Sequence, residues 1–252
     1  MTTIAACCSR IAGRTALVTG AGKRVGRAIA TALAENGANV VVHYNRSAAE
    51  AENLAAELGA LGVKAWTVPA DLADETQAAG LVPRAIELAG GLDILINNAS
   101  VFPHTRMAEA SWESLEENLR VNAWAPLVLS RVFAQSGSSG HIVNLLDSKI
   151  TGHSSTHVTY LLSKQMLAFL TSQLAVSLAP GIAVNAVAPG LILPPDGSPD
   201  TYGQKLLPTV PMRRMGSPED VAEAVVYLVS SRFITGQVIF VDGGWHLTAG
   251  DR

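Results

Sequence analysis

The sequence predicts an α/β fold: a single-domain, doubly wound parallel sheet with helices on both faces. Three observations carry that expectation. Short apolar runs rich in Val, Ile and Leu alternate with longer segments of helical spacing from Arg14 to Val241, the pattern of buried parallel strands joined by crossover helices. A glycine-rich turn, Gly20-Ala21-Gly22-Lys23-Arg24-Val25-Gly26, links the first run to the first helical segment. The 252 residues, 48% of them hydrophobic, suffice to cover such a sheet as one unit, residues 1–252.

Each element follows from its own residues. Arg14–Thr19 reads as a buried strand, and the helical spacing after the glycine turn runs through Ile29 and Leu33 to a stop at Gly37. Ala38–His43 is a second strand, so the opening unit is strand, turn, helix, strand. Residues 47–61 form an Ala/Glu/Leu helix, and Val63–Val68 a third strand that ends in Pro69-Ala70-Asp71-Leu72. Residues 74–90 are helical in pattern, and Pro83 inside them should kink or split the helix. Leu92–Asn97 is a fourth strand running into Asn98-Ala99-Ser100. Ser111 fits the N-cap of a long helix that carries Asn122 and then Pro126, which predicts a kink beside Asn122. His141–Leu146 is a fifth strand, Tyr160 lies on a helix ending near Pro180, and Ile182–Val187 is a sixth strand closed by Ala188-Pro189-Gly190. Residues 193–211 hold five prolines and two glycines with little periodicity, which suggests a mobile excursion shaping a substrate pocket. Ser217-Pro218-Glu219-Asp220 starts a helix reaching Ser230, and Gln237–Val241 is a last strand before Asp242-Gly243-Gly244.

Composition narrows the function classes. The net charge is −3 and no Lys/Arg run occurs, which argues against nucleic acid or an anionic membrane surface as partner. No apolar segment reaches the length of a spanning helix. Residues 1–12 read as a mobile tail without a secretory pattern. It contains both cysteines, Cys7 and Cys8, adjacent and without a His/Cys cluster at metal-ligand spacing. The expectation is a cytoplasmic protein with unpaired thiols, no metal and a small-molecule substrate.

The chemistry-bearing positions lie where strands end. A glycine-rich turn opening a helix offers backbone N–H groups and a positive helix end to a pyrophosphate. At the end of the second strand, an acid would hold a free ribose 2′-OH, whereas His43-Tyr44-Asn45-Arg46-Ser47 has no acid before Glu50. Arg46 can pair with a phosphate, and Lys23 and Arg24 add charge nearby, so the expected cofactor is NADPH/NADP. Tyr160 and Lys164 are one helical turn apart and project from one face. An ammonium there should lower the phenol toward working pH and so supply an acid. Asp147, thirteen positions before Tyr160, lies at a strand end close enough to share that site.

With these motifs placed, the chain resembles the short-chain dehydrogenase/reductase family over nearly its whole length. The matches fall in family order: Thr19-Gly20 to Gly26, Asp71-Leu72, Asn97-Asn98-Ala99, Asn122, Tyr160-x-x-x-Lys164, Pro189-Gly190 and the Asp242-Gly-Gly close. Two departures resemble pteridine reductases, including the dihydromonapterin-reductase type: Arg24 replaces a loop glycine, and Asp147 replaces the usual serine. Lys23-Arg24-Val25-Gly26, the stretch His43–Glu50 and Asn97–Phe102 resemble the same group.

That resemblance implies roles. Gly20, Val25, Gly26 and the end of the second strand, Tyr44 to Ser47, would hold the phosphates. Asp71 and Leu72 would bind adenine, and Asn98, Ala99, Ser100, Pro189 and Gly190 would line the rest of the cofactor. Arg24 would lie between cofactor phosphate and substrate, and Phe102 would stack on the pterin. Lys164 would hold the nicotinamide ribose, Asn122 would order a relay water, and Tyr160, Lys164 and Asp147 would deliver the proton. Ser148 could be the family serine displaced by one residue, but the spacing favours Asp147. Ile192 stands where many relatives carry a hydroxyl beside the cofactor. A homotetramer is implied as well.

Three functions stay open at this point. The first is a reductase of a dihydropterin C=N bond, because a carboxylate can accept from pterin N–H groups or share in proton supply. An ordinary carbonyl or 3-oxoacyl-thioester reductase shares every residue except Asp147, Arg24 and Phe102. A non-catalytic NADP(H)-binding regulator would have no need of Tyr160, Lys164 and Asn122 together.

Overall fold

A computed structural model describes residues 10–194 and 203–248. Cys7, Cys8 and the first nine residues of the expected tail lie outside the described residues, as does 195–202 within the expected substrate loop. The chain forms one seven-stranded parallel sheet in the order β3-β2-β1-β4-β5-β6-β7. The strands are β1 (Thr15–Val18), β2 (Asn39–Tyr44), β3 (Ala65–Pro69), β4 (Ile94–Asn97), β5 (Gly140–Leu145), β6 (Ile182–Pro189) and β7 (Val238–Val241). The connecting helices are α1 (Arg24–Glu35), α2 (Ala48–Ala60), α3 (Glu75–Ala89), α4 (Trp112–Leu119), α5 (Ala125–Gln135), α6 (Val158–Ser177) and α7 (Pro218–Ser230).

Both faces of the sheet are covered, which is why its strands are apolar throughout rather than alternating. Val40 and Val42 point into the layer holding α1, α2 and α7, with Ile29, Leu33, Leu54 and Val225. Val41 and Leu17 point to the other layer, which holds α3, α5 and the end of α6 with Leu81, Leu129, Phe133 and Leu174. Truncating one such fully buried side chain to Ala costs about 2–5 kcal/mol. Among the described residues, no helix is long and apolar enough to cross a membrane.

Two helix expectations are refined. Helix α3 runs through Pro83 as one element from its Asp74 N-cap, whose side chain accepts from Thr76 and Gln77 N–H. Pro83 is exposed, so its ring stands on the solvent side of the helix, while Leu81, Val82 and Ala85 anchor the dry side. The helix from Ser111 is interrupted by a π-turn, Arg120–Trp124, with Asn122 inside it and Pro126 in the first turn of α5. The extra residue of a π-turn re-aims its side chains, a feature common at functional sites.

The strand order reverses between β1 and β4, which opens a crevice at their carboxyl ends. Gly20, Asn98, Asp147 and Pro189 all follow or end strands on that rim.

Candidate active site

The glycine turn is braced from three sides. Gly20 has φ +63° and its N–H donates to His43 Nδ1 at 3.0 Å. His43 Nε2 reaches the Ala70 carbonyl at 3.1 Å, so the ring ties the turn to the ends of β2 and β3 with Nδ1 unprotonated. Burial pushes the imidazole down to about 4 and keeps it neutral. Asn98 Nδ2 donates to the Thr19 and Gly20 carbonyls, while Thr19 Oγ1 accepts from Asn98 and Ala99 N–H. Gly26 is required by space, since a Cβ there would overlap the Gly20 carbonyl and lie 2.5 Å from Asn98 Nδ2. Asn98 and Ala99 therefore act first as the frame of the turn.

Arg24 starts α1 with φ 54°, an uncommon conformation for a residue bearing a Cβ. Its guanidinium donates to the Pro194 carbonyl at 2.6 Å, tying the turn to the chain leaving β6. Val25 packs against the core layer under α1. Lys23 pairs with Glu50 at 2.7 Å, so part of the charge expected for a phosphate is already compensated.

At the end of β2, Tyr44 is half-buried, and Asn45 and Arg46 are exposed. Ser47 is the N-cap of α2, yet its hydroxyl makes no cap hydrogen bond. A Cβ on Gly22 would lie 3.4 Å from that hydroxyl, so the absence of a side chain keeps this corner open. Arg46 and the Ser47 hydroxyl at this glycine corner are donors suited to a phosphate monoester, and Glu50, the acid of the same corner, is taken up by Lys23. Asp71 accepts from Ala73 N–H at 3.0 Å and Leu72 is buried. Across the rim, Gly190 is packed so tightly that a Cβ would lie 2.5 Å from the Asp242 Cβ, linking Pro189-Gly190 to the Asp242-Gly-Gly close. Ile192 is buried in the α1/α7 core layer.

The second cluster stands at the end of β5. Tyr160 and Lys164, both buried, rise from the first turns of α6. Asp147 Oδ1 accepts from Lys149 N–H at 2.8 Å, and its Oδ2 accepts from the Tyr160 hydroxyl at 3.2 Å. Ser148 is buried without a side-chain bond to Tyr160, so Asp147 rather than Ser148 faces the phenol. Phe102 stands edge-on to Tyr160 with centroids 4.5 Å apart and stacks on His157 at 4.0 Å. Asn122, fully buried, is a knot: it accepts from Ser100 Oγ and Val101 N–H and donates to the Val101 carbonyl and Ser163 Oγ.

The expected electrostatics of the phenol are corrected. Lys164 donates to the Leu145 carbonyl at 2.8 Å, and its ammonium lies 5.7 Å from the Tyr160 ring centroid. Burial first, then the charge and hydrogen bond of Asp147, hold the Tyr160 phenol well above its ordinary range. The sequence pair Tyr160/Lys164 suggested the opposite direction because spacing shows neither the burial of the phenol nor its hydrogen bond to Asp147. Burial also brings Lys164 down to about 8, against the pull of Asp147. Chemically, the arrangement holds a proton on a buried phenol beside a half-buried carboxylate.

Two residues missed in the sequence belong to this geometry, His43 and His157. His157 Nδ1 lies 2.9 Å from the Pro103 carbonyl, which fixes its ring under Phe102. No spacing rule flags either one, since each acts through a contact between separate elements.

The family model described as enoyl-(acyl carrier protein) reductase matches residues 20–246. That match spans the glycine turn, the Tyr160 cluster and the Asp242-Gly-Gly close. The chain belongs to the short-chain dehydrogenase/reductase family. It is therefore an oxidoreductase of the nicotinamide-dependent short-chain type. A Streptomyces violaceoruber protein named for ketoacyl reductase 2 of the granaticin polyketide synthase is 37% identical, covering 92% of this chain and 96% of its own. The 3-oxoacyl-[acyl-carrier-protein] reductase FabG of Staphylococcus aureus is 34% identical, covering 93% and 98%. A solved structure of FolM, alternative dihydrofolate reductase 1 from Brucella canis, complexed with NADP, superposes with a TM-score of 0.89 at 33% identity, covering 95% and 96%. Short-chain reductases thus carry this fold over its full length, with differing named substrates.

Proposed function

We propose that this protein is an NADPH-dependent reductase of a pteridine, acting on a dihydropterin-type C=N bond. The observation that carries the reading is the Asp147 carboxylate hydrogen-bonded to the Tyr160 phenol at 3.2 Å. A carboxylate there has no part in stabilising a developing alkoxide, which it would repel, but it suits a substrate rich in N–H donors. Support comes from Phe102 beside Tyr160 and from the FolM neighbour's name.

The cofactor in this reading is NADP(H), which supplies a hydride when bound. Arg46 and the Ser47 hydroxyl hold its 2′-phosphate, the Gly20–Gly26 turn its pyrophosphate, and Asp71 and Leu72 its adenine. Lys164 holds the nicotinamide ribose. Tyr160 gives its proton to the ring nitrogen that gains charge. At rest that proton is held toward Asp147. Pterin N–H groups arriving at the carboxylate replace the phenol as donor and free the proton for transfer. The phenolate left behind, disfavoured by burial and by Asp147, takes a proton from solvent water, which closes the cycle. Asn122 holds the Val101 and Ser163 region in place for this site.

Residues 193–211 act in this reading as the substrate loop, tethered at Pro194 by Arg24. The enzyme is a cytoplasmic homotetramer. Exposed Leu162, Phe169 and Val176, seven residues apart along α6, support a subunit contact.

A second reading, reduction of a carbonyl or 3-oxoacyl thioester, is favoured by the names of the relatives at 34% and 37% identity. NADPH oxidation measured with dihydrobiopterin, with an acetoacetyl thioester and with no acceptor separates the two. Turnover of the pterin supports the first reading; turnover of the thioester alone replaces it with the second.

A further inference from the structure

We propose that the cavity adjoining Asp147 binds a carboxylate-bearing arm of the substrate, with Lys149 as the residue that selects for it. This deepens the pteridine reading and rests on it. The cavity, about 270 Å³, lies between the turn after β5 and the helical turn Trp245–Thr248, and its walls include Ser148, Lys149, His153, Trp245 and His246. Its lining begins at Ser148, the residue after the carboxylate that faces the phenol, and Lys149 N–H donates to Asp147 Oδ1 at 2.8 Å.

The chemistry of the walls favours an anion. The Lys149 ammonium lies 5.1 Å from the centroid of the Trp245 ring. That contact positions the charge without cancelling it. Among the described residues, Lys149 has no carboxylate salt-bridge partner, and no acidic side chain lines the cavity. The neighbouring acid, Asp242, is consumed elsewhere: it accepts from Gly244 N–H, His246 N–H and His246 Nδ1. His246 is thereby fixed, with its ring stacked 3.9 Å from Phe240. Ser148, buried at 2% exposure, lines the same space and adds a neutral hydroxyl donor. One cation, one hydroxyl donor and a lining free of acidic side chains suit a carboxylate that leaves water.

The test compares dihydrofolate, whose arm ends in carboxylates, with dihydrobiopterin, which has none. Lys149→Met should lower the ratio of kcat/KM for dihydrofolate to that for dihydrobiopterin about tenfold, the scale of one charge-assisted hydrogen bond. Lys149→Arg should restore the ratio. In the unmutated enzyme, rising salt should raise KM for dihydrofolate more than for dihydrobiopterin, because a half-exposed ion pair is screened. An unchanged ratio in Lys149→Met, together with equal salt responses, overturns the assignment. Unmutated enzyme that turns over neither pterin fails in a different way, refuting the pteridine reading and this inference with it.

Discussion

Replacing Asp147 by Ser separates a pteridine reductase from a carbonyl reductase on the same scaffold. The carboxylate makes two bonds, accepting from Tyr160 at 3.2 Å and from Lys149 N–H at 2.8 Å. Serine ends near where the Asp Cγ stands, so it loses both the charge and the reach. A hydrogen bond to a charged group is worth about 1.5–3 kcal/mol. If the substrate's N–H groups use that carboxylate in the transition state, kcat/KM for a dihydropterin should fall about 10- to 150-fold. A diketone has no N–H to offer, and serine restores the hydroxyl that carbonyl reducers use, so its kcat/KM should hold or rise. The lost Lys149 bond is neutral on one side and near solvent, costing about 0.5–1.5 kcal/mol of stability, which a melting curve checks. Steady-state rates for one dihydropterin and one diketone, with both proteins, decide the matter. Parallel changes on the two substrates would refute the reasoning and leave Asp147 as a turn residue.

Tyr160→Phe should abolish nearly all turnover with NADPH affinity close to normal, because only a transition-state interaction is removed; substantial residual rate would end the catalytic assignment. Lys164→Ala should impair both rate and NADPH binding, as seen by steady-state kinetics and fluorescence titration. Arg46→Ala should weaken NADPH by about 1.5–3 kcal/mol while sparing NADH, and equal losses would remove Arg46 from the phosphate site. His43 is held neutral at about 4 in the fold against 6.5 outside it. The unfolded chain therefore takes up this proton first as pH falls. The stability tied to it is complete above 6.5 and is lost between 6.5 and 4, about 2 kcal/mol of it by about pH 5. His141 titrates in the same window, also pushed down to about 4 by burial, so urea midpoints across that range should be compared with those of His43→Asn. Asn places an amide oxygen near the Gly20 N–H without a titrating ring, and an unchanged pH slope would exclude His43 as the source.

Most of the fold was legible because its signals are local. Seven apolar runs, the glycine turn and Ser217-Pro218 each specify an element from adjacent residues. Pro126 marked the disturbance at Asn122, although the outcome is a π-turn rather than a simple kink. Pro83 does not split α3, because the helix is held on its other side, where Leu81 and Val82 share a core layer with Leu129 and Phe133. The charge of Lys23 was overcounted because Glu50, the first acid after the second strand, reaches back to pair with it at 2.7 Å.

The candidate site divides along the same line, and Tyr160 shows why. Sequence neighbours made Lys164 its natural electrostatic partner. Coulomb energy falls with separation and with solvent between the charges, so the Asp147 oxygen at 3.2 Å outweighs an ammonium engaged by the Leu145 carbonyl. Burial adds to the carboxylate's effect on the phenol and opposes the charge of the lysine. The direction of the phenol's shift was therefore set first by burial and then by a carboxylate thirteen residues away in sequence, both of which arise only when β5 and α6 converge. In the proposed reaction that reversal becomes the source of selectivity. A phenol claimed by a carboxylate releases its proton most readily to a substrate that gives the carboxylate another donor.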